Sequence, residues 1–186
     1  MIDETLPWLT FPPAVDLSNT IVVTPRGELD LLTTDEQLDI WIAAERGRIV
    51  CVDAATGRLD EMRALRADLR ALLYAHAWGR PLPDPARRRV NALSATAPAF
   101  PVLDAGGEVT VQHTSDDAFA ILTAELARSA IDQFGGDGRR LSVCTAPSCG
   151  LLYPPDHARQ RWCCRACGNR ARVARHAARQ RSASGT

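Results

Sequence analysis

The 186-residue sequence has no lysine, no long apolar run and only one cysteine outside a short C-terminal stretch. The missing lysine excludes little, because a GC-rich coding bias alone can remove it. No segment approaches 18 consecutive apolar residues, so we expect no membrane-spanning helix. The first residues, MIDETLPWLTFPP, are acidic and lack the basic and apolar regions of a secretory signal. We therefore expect a cytoplasmic protein, where disulfides are disfavoured and clustered thiols more often bind metal.

The first 138 residues also lack a catalytic constellation. His76 and His113 are each isolated from any obvious nucleophile or paired carboxylate, so we interpret both as surface or core residues. Cys51 lies in the apolar run RIVCVDAAT and is predicted to be a small buried hydrophobic residue. The tryptophans of this part are interpreted as core residues, namely Trp8, Trp41 and Trp78. The sequence therefore does not predict an enzyme.

Charge divides the chain into two unequal parts. Residues 1–138 contain 12 arginines and 21 acidic residues, a net charge of −9, whereas residues 139–186 contain 10 arginines and one acid, Asp156, a net charge of +9. The composition, 46% hydrophobic and 24% charged, is that of a globular protein. Because the glycine-rich GGDG at 135–138 indicates a boundary, we expect a domain at 1–138 and a small module at 139–186 with different tasks.

Capping patterns and apolar periodicity predict several elements in the first part. TDEQ, which begins at Thr34, is a capping-box pattern and predicts a helix to about residue 45. Its buried residues are predicted to be Leu38, Trp41 and Ile42. ARRRVNALSAT is a further helical candidate, and Ser115 is predicted to cap a helix in DDAFAILTAELARSAIDQF. Between them, the alternation in EVTVQ and the turn residues DAGG predict a β-hairpin.

A long amphipathic helix is predicted from about residue 58 to residue 78. Apolar residues at steps of three and four form one stripe along it. The stripe consists of Leu59, Met62, Leu65, Leu69, Leu72 and Leu73. Arg63, Arg66 and Arg70 lie off the stripe and are predicted to face water. GRPLPDP at 79–85 ends this helix.

Two closely spaced cysteine pairs lie in the basic part. Cys144 and Cys149 are separated by four residues, Cys163 and Cys167 by three, and thirteen residues lie between the pairs. This spacing is typical of a chain that wraps a tetrahedral metal ion, and zinc is the ion that four thiolates most often bind. Four sulfur ligands leave no open coordination position, so the predicted zinc is structural.

The spacing leaves alternatives open. Cys164 could replace Cys163, since it would give the commoner two-residue gap to Cys167, and His157 is a less favoured ligand. Disulfide pairing and a redox-sensitive zinc site that exchanges with Cys164 are competing interpretations.

A metal would also stabilise this part of the chain. A module of under fifty residues with only seven large apolar side chains cannot fold on its own core. These residues are Leu141, Val143, Leu151, Leu152, Tyr153, Trp162 and Val173. A structural zinc site contributes on the order of 10–16 kcal/mol of apparent binding free energy, which is enough to compensate.

The segment RWCCRACGNRARVARHAARQR resembles the signature of the CGNR zinc-finger family. The resemblance rests on Trp162, Cys163 and the Cys-Gly-Asn-Arg motif at 167–170, and on an earlier cysteine pair followed by GLLYPP. The match implies that Cys163 is the ligand and Cys164 a variable neighbour. Proteins of this family often carry an N-terminal helical domain called ABATE, which AVDLSNT, DEQLDIWIAAE and LRALRADLRALLYA resemble. The resemblance implies a stress-induced transcription regulator.

The arginines after the last cysteine fall on one side of a predicted helix. On an ideal helix, Arg172, Arg175, His176 and Arg179 share a strip about 100° wide. The other side consists of Ala171, Val173, Ala174, Ala177 and Ala178 and is expected near the zinc module's small core. An arginine face held next to a metal suits a phosphate backbone or a major groove. Alternatively, the arginines dock against the acidic first part.

Two residues of the motif have structural interpretations as well. Gly168 would relieve a tight turn, and Asn169 is predicted to cap the helix rather than contact a base.

The sequence thus predicts a mainly α protein with a small β element, made of a helical N-terminal domain and a four-cysteine zinc module that ends in a basic helix. We expect a DNA-binding regulator with Zn²⁺ as structural cofactor and with Arg170, Arg172, Arg175 and Arg179 as contact candidates. A single module makes few contacts, so we expect a homodimer. The alternative is a zinc-stabilised protein-interaction or small-molecule-sensing protein; a small molecule bound near Asp16, Asn19 or Trp41 would favour the sensing role.

Overall fold

Helices dominate the computed structural model, which describes residues 10–49, 55–135 and 141–184. Within these ranges the helices are α1 (Pro13–Ser18), α2 (Asp35–Ala44), α3 (Leu59–Ala77), α4 (Asp84–Ser94), α5 (Ala118–Ile131) and α6 (Arg165–Ser184). The strands are β1 (Ile21–Thr24), β2 (Gly27–Asp30), β3 (Ala99–Leu103), β4 (Val109–His113), β5 (Ser142–Val143) and β6 (Leu152–Tyr153). They pair in sequence order into three two-stranded antiparallel sheets. The predicted fold class, mainly α with a small β element, is confirmed; Trp8 and Cys51 lie outside the described residues.

Helix α2 begins at the predicted cap, with one change in the pattern. The Thr34 side chain accepts a hydrogen bond from the Gln37 backbone N–H at 3.3 Å. The Gln37 carboxamide accepts from the backbone N–H of Thr33, not Thr34, at 2.7 Å. The reciprocal bond of the capping box is therefore displaced by one residue, while the buried residues are those predicted, Leu38, Trp41 and Ile42.

Helix α3 buries most of the predicted stripe and is the centre of the main core. Its buried residues include Met62, Leu65, Leu69, Leu72 and Leu73, whereas Leu59 is only partly buried. Trp78, predicted in the core, is instead 52% exposed, because it lies just past the end of the helix. There its ring packs at a tilt against that of Tyr74, with ring centroids 5.1 Å apart.

The prediction that the arginines of α3 face water is wrong for two of the three. Arg66 is 3% exposed and donates to both carboxylate oxygens of Asp30, at 2.6 and 2.7 Å. Arg70 donates to the carbonyl of Ser18 at 2.6 Å, while Arg63 is exposed. A guanidinium can be buried when a carboxylate pairs with it, as Asp30 does here through the two Nη groups. Through these bonds α3 holds the β1–β2 sheet and the end of α1.

The β3–β4 hairpin is confirmed, and the cap of α5 is corrected. Asp104 organises the predicted turn, since its Oδ1 accepts from the backbone N–H groups of Gly106 and Glu108. The N-cap of α5 is Asp117, whose side chain accepts from the backbone N–H groups of residues 119 and 120. Ser115, the predicted cap, lies two residues before Asp117 and accepts a hydrogen bond from its backbone N–H.

The seven apolar residues predicted as the core of the cysteine module do not form one core. Leu141 and Leu152 belong to the main core together with residues of α1 and α3, and Val143 packs against it. A second, smaller core contains three cysteines together with Leu151 and Tyr153, and Trp162 packs against it. Val173 is 69% exposed and joins neither. The β5–β6 pair is thus a shared element of both parts of the chain.

Buried hydrogen bonds fix this shared element to α1 and α3. The Asn19 carboxamide, fully buried at the end of α1, bonds both backbone groups of Leu152 at 2.9 Å: it donates to the carbonyl and accepts from the N–H. Tyr74 of α3 donates its hydroxyl to the carbonyl of Gly150 at 2.7 Å. The segment that follows the second cysteine is therefore held directly by the first part of the chain.

Candidate metal centre and basic helix

The first cysteine pair lies on a tight turn between β5 and β6. The backbone N–H of Cys144 donates to the carbonyl of Leu151 at 2.8 Å, which closes the turn around Cys149. The turn needs positive φ at Ser148 (53°) and at Gly150 (70°). A Cβ at position 150 would lie 3.2 Å from Cγ2 of Val23. Glycine is therefore favoured at this position both by the positive φ and by the close approach of the valine side chain.

The second pair is set by the start of α6. Cys163 lies two residues before the helix, and Cys167 lies in its first turn. Gly168 is helical rather than part of a tight turn, and a Cβ on it would lie 3.2 Å from Cε3 of the Trp162 ring. The missing side chain thus leaves room for the indole. Asn169 is inside the helix and is not the predicted cap; its Oδ1 accepts from Arg172 at 2.9 Å.

The four sulfurs converge on one point. The Sγ atoms of Cys144, Cys149, Cys163 and Cys167 all lie within 4.8 Å of one another. Cys163 Sγ is 3.7 Å from Cys149 Sγ and 3.6 Å from Cys167 Sγ. A tetrahedral zinc with Zn–S bonds of about 2.3 Å has S–S edges of about 3.8 Å, so this separation fits the ion.

The structure shows where the residues lie whose role as a metal ligand the cysteine spacing left open. Cys163 joins the sulfur cluster, whereas Cys164 and His157 do not belong to it. Cys164 is half-buried beside the cluster, and its carbonyl accepts from the backbone N–H of Gly168 at 3.1 Å. Among the described residues the five cysteines at 144–167 are free of disulfide bonds.

The electrostatics of the cluster favour a cation. Hydrogen bonds from Cys149 and Cys163 hold the pKa of the Cys144 thiol far below its usual range, to about 2. Burial, together with the nearby sulfur of Cys149, raises the pKa of Cys167 to about 12. Four thiolates at these distances repel one another, and a divalent ion removes that repulsion and replaces the shared protons.

Arg170 lies at the metal cluster itself. Its Nη2 donates to the Sγ of Cys167 at 3.1 Å, and its Nη1 points to the carbonyl of Ser148 at 3.5 Å. This guanidinium, one of the four predicted nucleic-acid contacts, is therefore engaged by both cysteine turns.

The other three predicted contact residues are exposed along α6. The Arg172 guanidinium bonds Asn169, while Arg175 and Arg179 donate to carbonyls of their own helix at 3.3 and 3.4 Å. The ion pairs found within the described ranges join other residues, and none reaches an arginine of α6. The described part of the acidic domain thus gives no support to the alternative that it neutralises this helix.

A cleft runs beside α6 and adds a basic residue that sequence reasoning missed. It has a volume of about 390 Å³ and lies between the helix and the turn of the first cysteine pair. Arg161 and Trp162 line it on one side. The lining residues from α6 are Ala171, Ala174, Arg175 and Ala178. The guanidinium carbon of Arg175 is 5.8 Å from the centre of the Trp162 ring. Arg161 counted in the sequence only toward net charge, because it precedes the helix and no periodicity includes it.

The first part of the chain contains two buried acids, Asp16 and Glu45, that pair with the more exposed Arg48, an arrangement that the sequence did not reveal. Arg48 Nη1 lies 2.8 Å from Asp16 Oδ2 and 2.8 Å from Glu45 Oε2. Burial raises the pKa of Asp16 to about 8 and that of Glu45 to about 7. The residues near which a bound small molecule would favour a sensing role, Asp16, Asn19 and Trp41, are all buried. A cleft of about 520 Å³ nearby is lined by Arg48 and Arg128 instead.

The two histidines of the first part take structural positions. The His76 ring packs at a tilt against that of Phe134, with centroids 4.6 Å apart, and His113 Nε2 lies 3.4 Å from a carboxylate oxygen of Glu125. Both agree with their interpretation as surface or core residues.

Comparison with known proteins gives two family matches. Residues 12–137 match ABATE, described as "putative stress-induced transcription regulator", and residues 140–180 match the CGNR zinc finger. Both are regulator and zinc-finger types and not enzyme families. No curated protein matches the chain. None of the described helices is long and apolar enough to cross a membrane.

The match to the CGNR zinc finger indicates which metal the sulfur cluster suits. Four converging cysteines in a zinc-finger segment fit a structural Zn²⁺ site. The ABATE match covers more than half of the sequence. The chain therefore belongs to the ABATE family and carries a CGNR zinc finger in its C-terminal part.

Proposed function

We propose that this protein is a DNA-binding transcription regulator. Residues 139–186 supply the DNA contact, and residues 1–138 form the regulatory domain. The observation that carries the proposal is the exposed arginine face of α6, which begins at the sulfur cluster and is free of ion pairs within the described residues. The family description, a transcription regulator, supports the same function.

In this proposal Cys144, Cys149, Cys163 and Cys167 ligate zinc. The ion supplies a cross-link and positive charge; it has four sulfur ligands and therefore no open position for catalysis. Because Cys167 lies in the first turn of α6, ligation fixes the direction of that helix relative to β5 and β6. The chain's own residues then make the contact.

Arg172, Arg175 and Arg179 are the proposed contacts on the helix, and Arg161 adds a fourth basic group from the other side of the cleft. Their guanidinium groups suit phosphate oxygens and, where the helix enters a major groove, the edge of guanine. The surrounding segment has ten arginines and one acid, so its field attracts a polyanion.

Further properties follow from this function. A single small module makes few contacts, so we propose that the protein binds DNA as a homodimer. A regulator with free cysteines works in the cytoplasm, where thiols stay reduced. We assign no enzymatic activity. A stress signal or small-molecule effector would act on the ABATE domain.

The test is the salt dependence of binding to duplex DNA. Fluorescence anisotropy with a labelled duplex of mixed sequence should show affinity falling steeply as salt rises. The triple variant Arg172→Gln, Arg175→Gln, Arg179→Gln should bind more weakly, and the logarithmic salt slope should fall by about 0.9 for each phosphate group that the variant no longer binds.

The matched control removes the same charge from α4. Arg87, Arg88 and Arg89 are exposed, and each pairs with Asp84 or Asp68, so their replacement by glutamine should leave binding nearly unchanged. If the wild-type protein is not retained on duplex DNA even at low salt, the proposal fails and the zinc-stabilised protein-interaction module takes its place.

A further inference from the structure

Arg170 occupies a position that differs from that of every other arginine on α6. It follows Cys167 by three residues, so both side chains project from the same side of the helix. One arm of its guanidinium donates to Cys167 Sγ at 3.1 Å, and the other points to the carbonyl of Ser148 at 3.5 Å. Ser148 directly precedes Cys149 in the first cysteine turn. A single side chain thus bridges the two turns that supply the sulfurs.

Charge makes this contact important for a metal. Four thiolates around a divalent ion leave a net charge of about −2 in a largely buried cluster, where three of the four cysteines are buried. A guanidinium hydrogen-bonded to one thiolate offsets part of that charge, and hydrogen bonds between ionised groups are the stronger kind. The planar fork also restrains the Ser148 turn relative to the helix, which a mobile point charge would do less well.

We propose that Arg170 is a positioning residue of the zinc centre, which bridges the two cysteine turns and slows loss of the metal. It therefore contributes to metal retention and not to the nucleic-acid surface formed by Arg172, Arg175 and Arg179. The inference rests on zinc binding by the four cysteines and does not depend on DNA binding.

Zinc release from the full-length protein tests this role. The protein is loaded with one equivalent of Zn²⁺ and mixed with an excess of a chromogenic chelator, and the release rate is recorded. Removing a group that supports a metal ligand usually lowers metal affinity by about 10 to 100 times. At an unchanged association rate, Arg170→Gln should therefore release zinc faster than the wild type by about the same factor. Arg170→Lys, which keeps the charge but loses the fork, should fall between the two.

Arg172→Gln is the matched control. It removes the same charge two residues away, from a guanidinium that bonds Asn169 and not sulfur, and should release zinc at the wild-type rate. A release rate for Arg170→Gln within twofold of the wild type would overturn the inference. So would equal acceleration in Arg172→Gln, because helix charge alone would then explain the effect.

A second measurement covers the case in which Arg170→Gln does not fold. The conservative Arg170→Lys is then compared with Arg172→Lys by Co²⁺ substitution, and the sulfur-to-cobalt charge-transfer band reports the environment of the ligands. A shifted band and faster metal loss in Arg170→Lys only would support the inference. Identical bands and identical release rates in both variants would overturn it. Because both measurements use metal alone, their outcome is separate from that of the DNA titration.

Discussion

Arg66 is a buried cation whose position depends on a carboxylate partner distant in the chain. It lies off the apolar stripe of α3, and this position predicts exposure. The structure buries it because Asp30, 36 residues earlier, receives two of its hydrogen bonds. A partner so distant leaves no local signal. Arg170 is a similar case, since only the folded chain brings its guanidinium to Cys167.

The buried acid Asp16 leads to a prediction about pH. Its folded-state pKa, about 8, is raised from 3.8 by burial, so its neutral form is favoured in the folded protein. Stability from this group is fully present below the unfolded pKa and is lost as pH rises toward 8. Relative to Asp16→Asn, the wild type should lose unfolding free energy between about pH 5 and pH 8, by at most about 1.4 kcal/mol per pH unit.

Urea unfolding at several pH values, followed by circular dichroism, measures this difference. Both proteins keep Glu45, Arg48 and the cysteines, so the difference between their profiles reports Asp16 together with its coupling to Glu45. Parallel pH profiles for the two proteins would show that Asp16 is ionised in the folded state.

At the scale of elements, the sequence predicted those helices and strands whose formation depends on apolar periodicity or on turn residues alone. The stripe of α3, the start of α2 and the β3–β4 hairpin were predicted because each depends on neighbouring residues. The cap of α5 was assigned to Ser115 instead of Asp117, since both residue types cap helices and only the hydrogen-bond geometry distinguishes them. The short helix α1 was not predicted, because it is buried on nearly all sides and so has no amphipathic pattern.

The two cysteine turns, one between β5 and β6 and one at the start of α6, allow a test of the ligand set. Cys144→Ser should lower the zinc content from about one ion per chain to near zero and destabilise the start of α6, because a hydroxyl is a poor zinc ligand. Cys164→Ser, which changes the neighbouring thiol outside the cluster, should keep the metal. Elemental analysis of the purified, chelator-washed proteins gives the result. Zinc retained in Cys144→Ser, or absent from Cys164→Ser, would contradict the assignment.

At the scale of the whole molecule, opposite charge predicted two parts with two tasks, but it did not predict how closely they are joined. The seven apolar residues counted for the zinc module are divided between two cores, and Leu141 and Leu152 belong to the larger one. A count of residues along the chain cannot show this, because the partners lie on α1 and α3.

The bond between Asn19 and Leu152 gives a prediction at this scale. Asn19→Ala leaves a buried N–H and a buried carbonyl of Leu152 without partners and should lower the free energy of unfolding by about 2 to 4 kcal/mol. Asn91→Ala, at an exposed position on α4, is the control and should change it by about 0.5 kcal/mol or less. Urea unfolding, followed in parallel by circular dichroism and by zinc release, measures both variants; unchanged stability in Asn19→Ala would count against the joined core.

The shared position of β5 and β6 bears on how the protein can be dissected. A fragment that stops near residue 138 would lack Leu141 and Leu152. The apolar sides of α1 and α3 that pack against these leucines would then be exposed to water. A fragment that starts there would expose those same leucines. We therefore expect each fragment to be less stable than the intact chain, and in the proposed regulator the packing at β5 and β6 is the physical connection between the two parts.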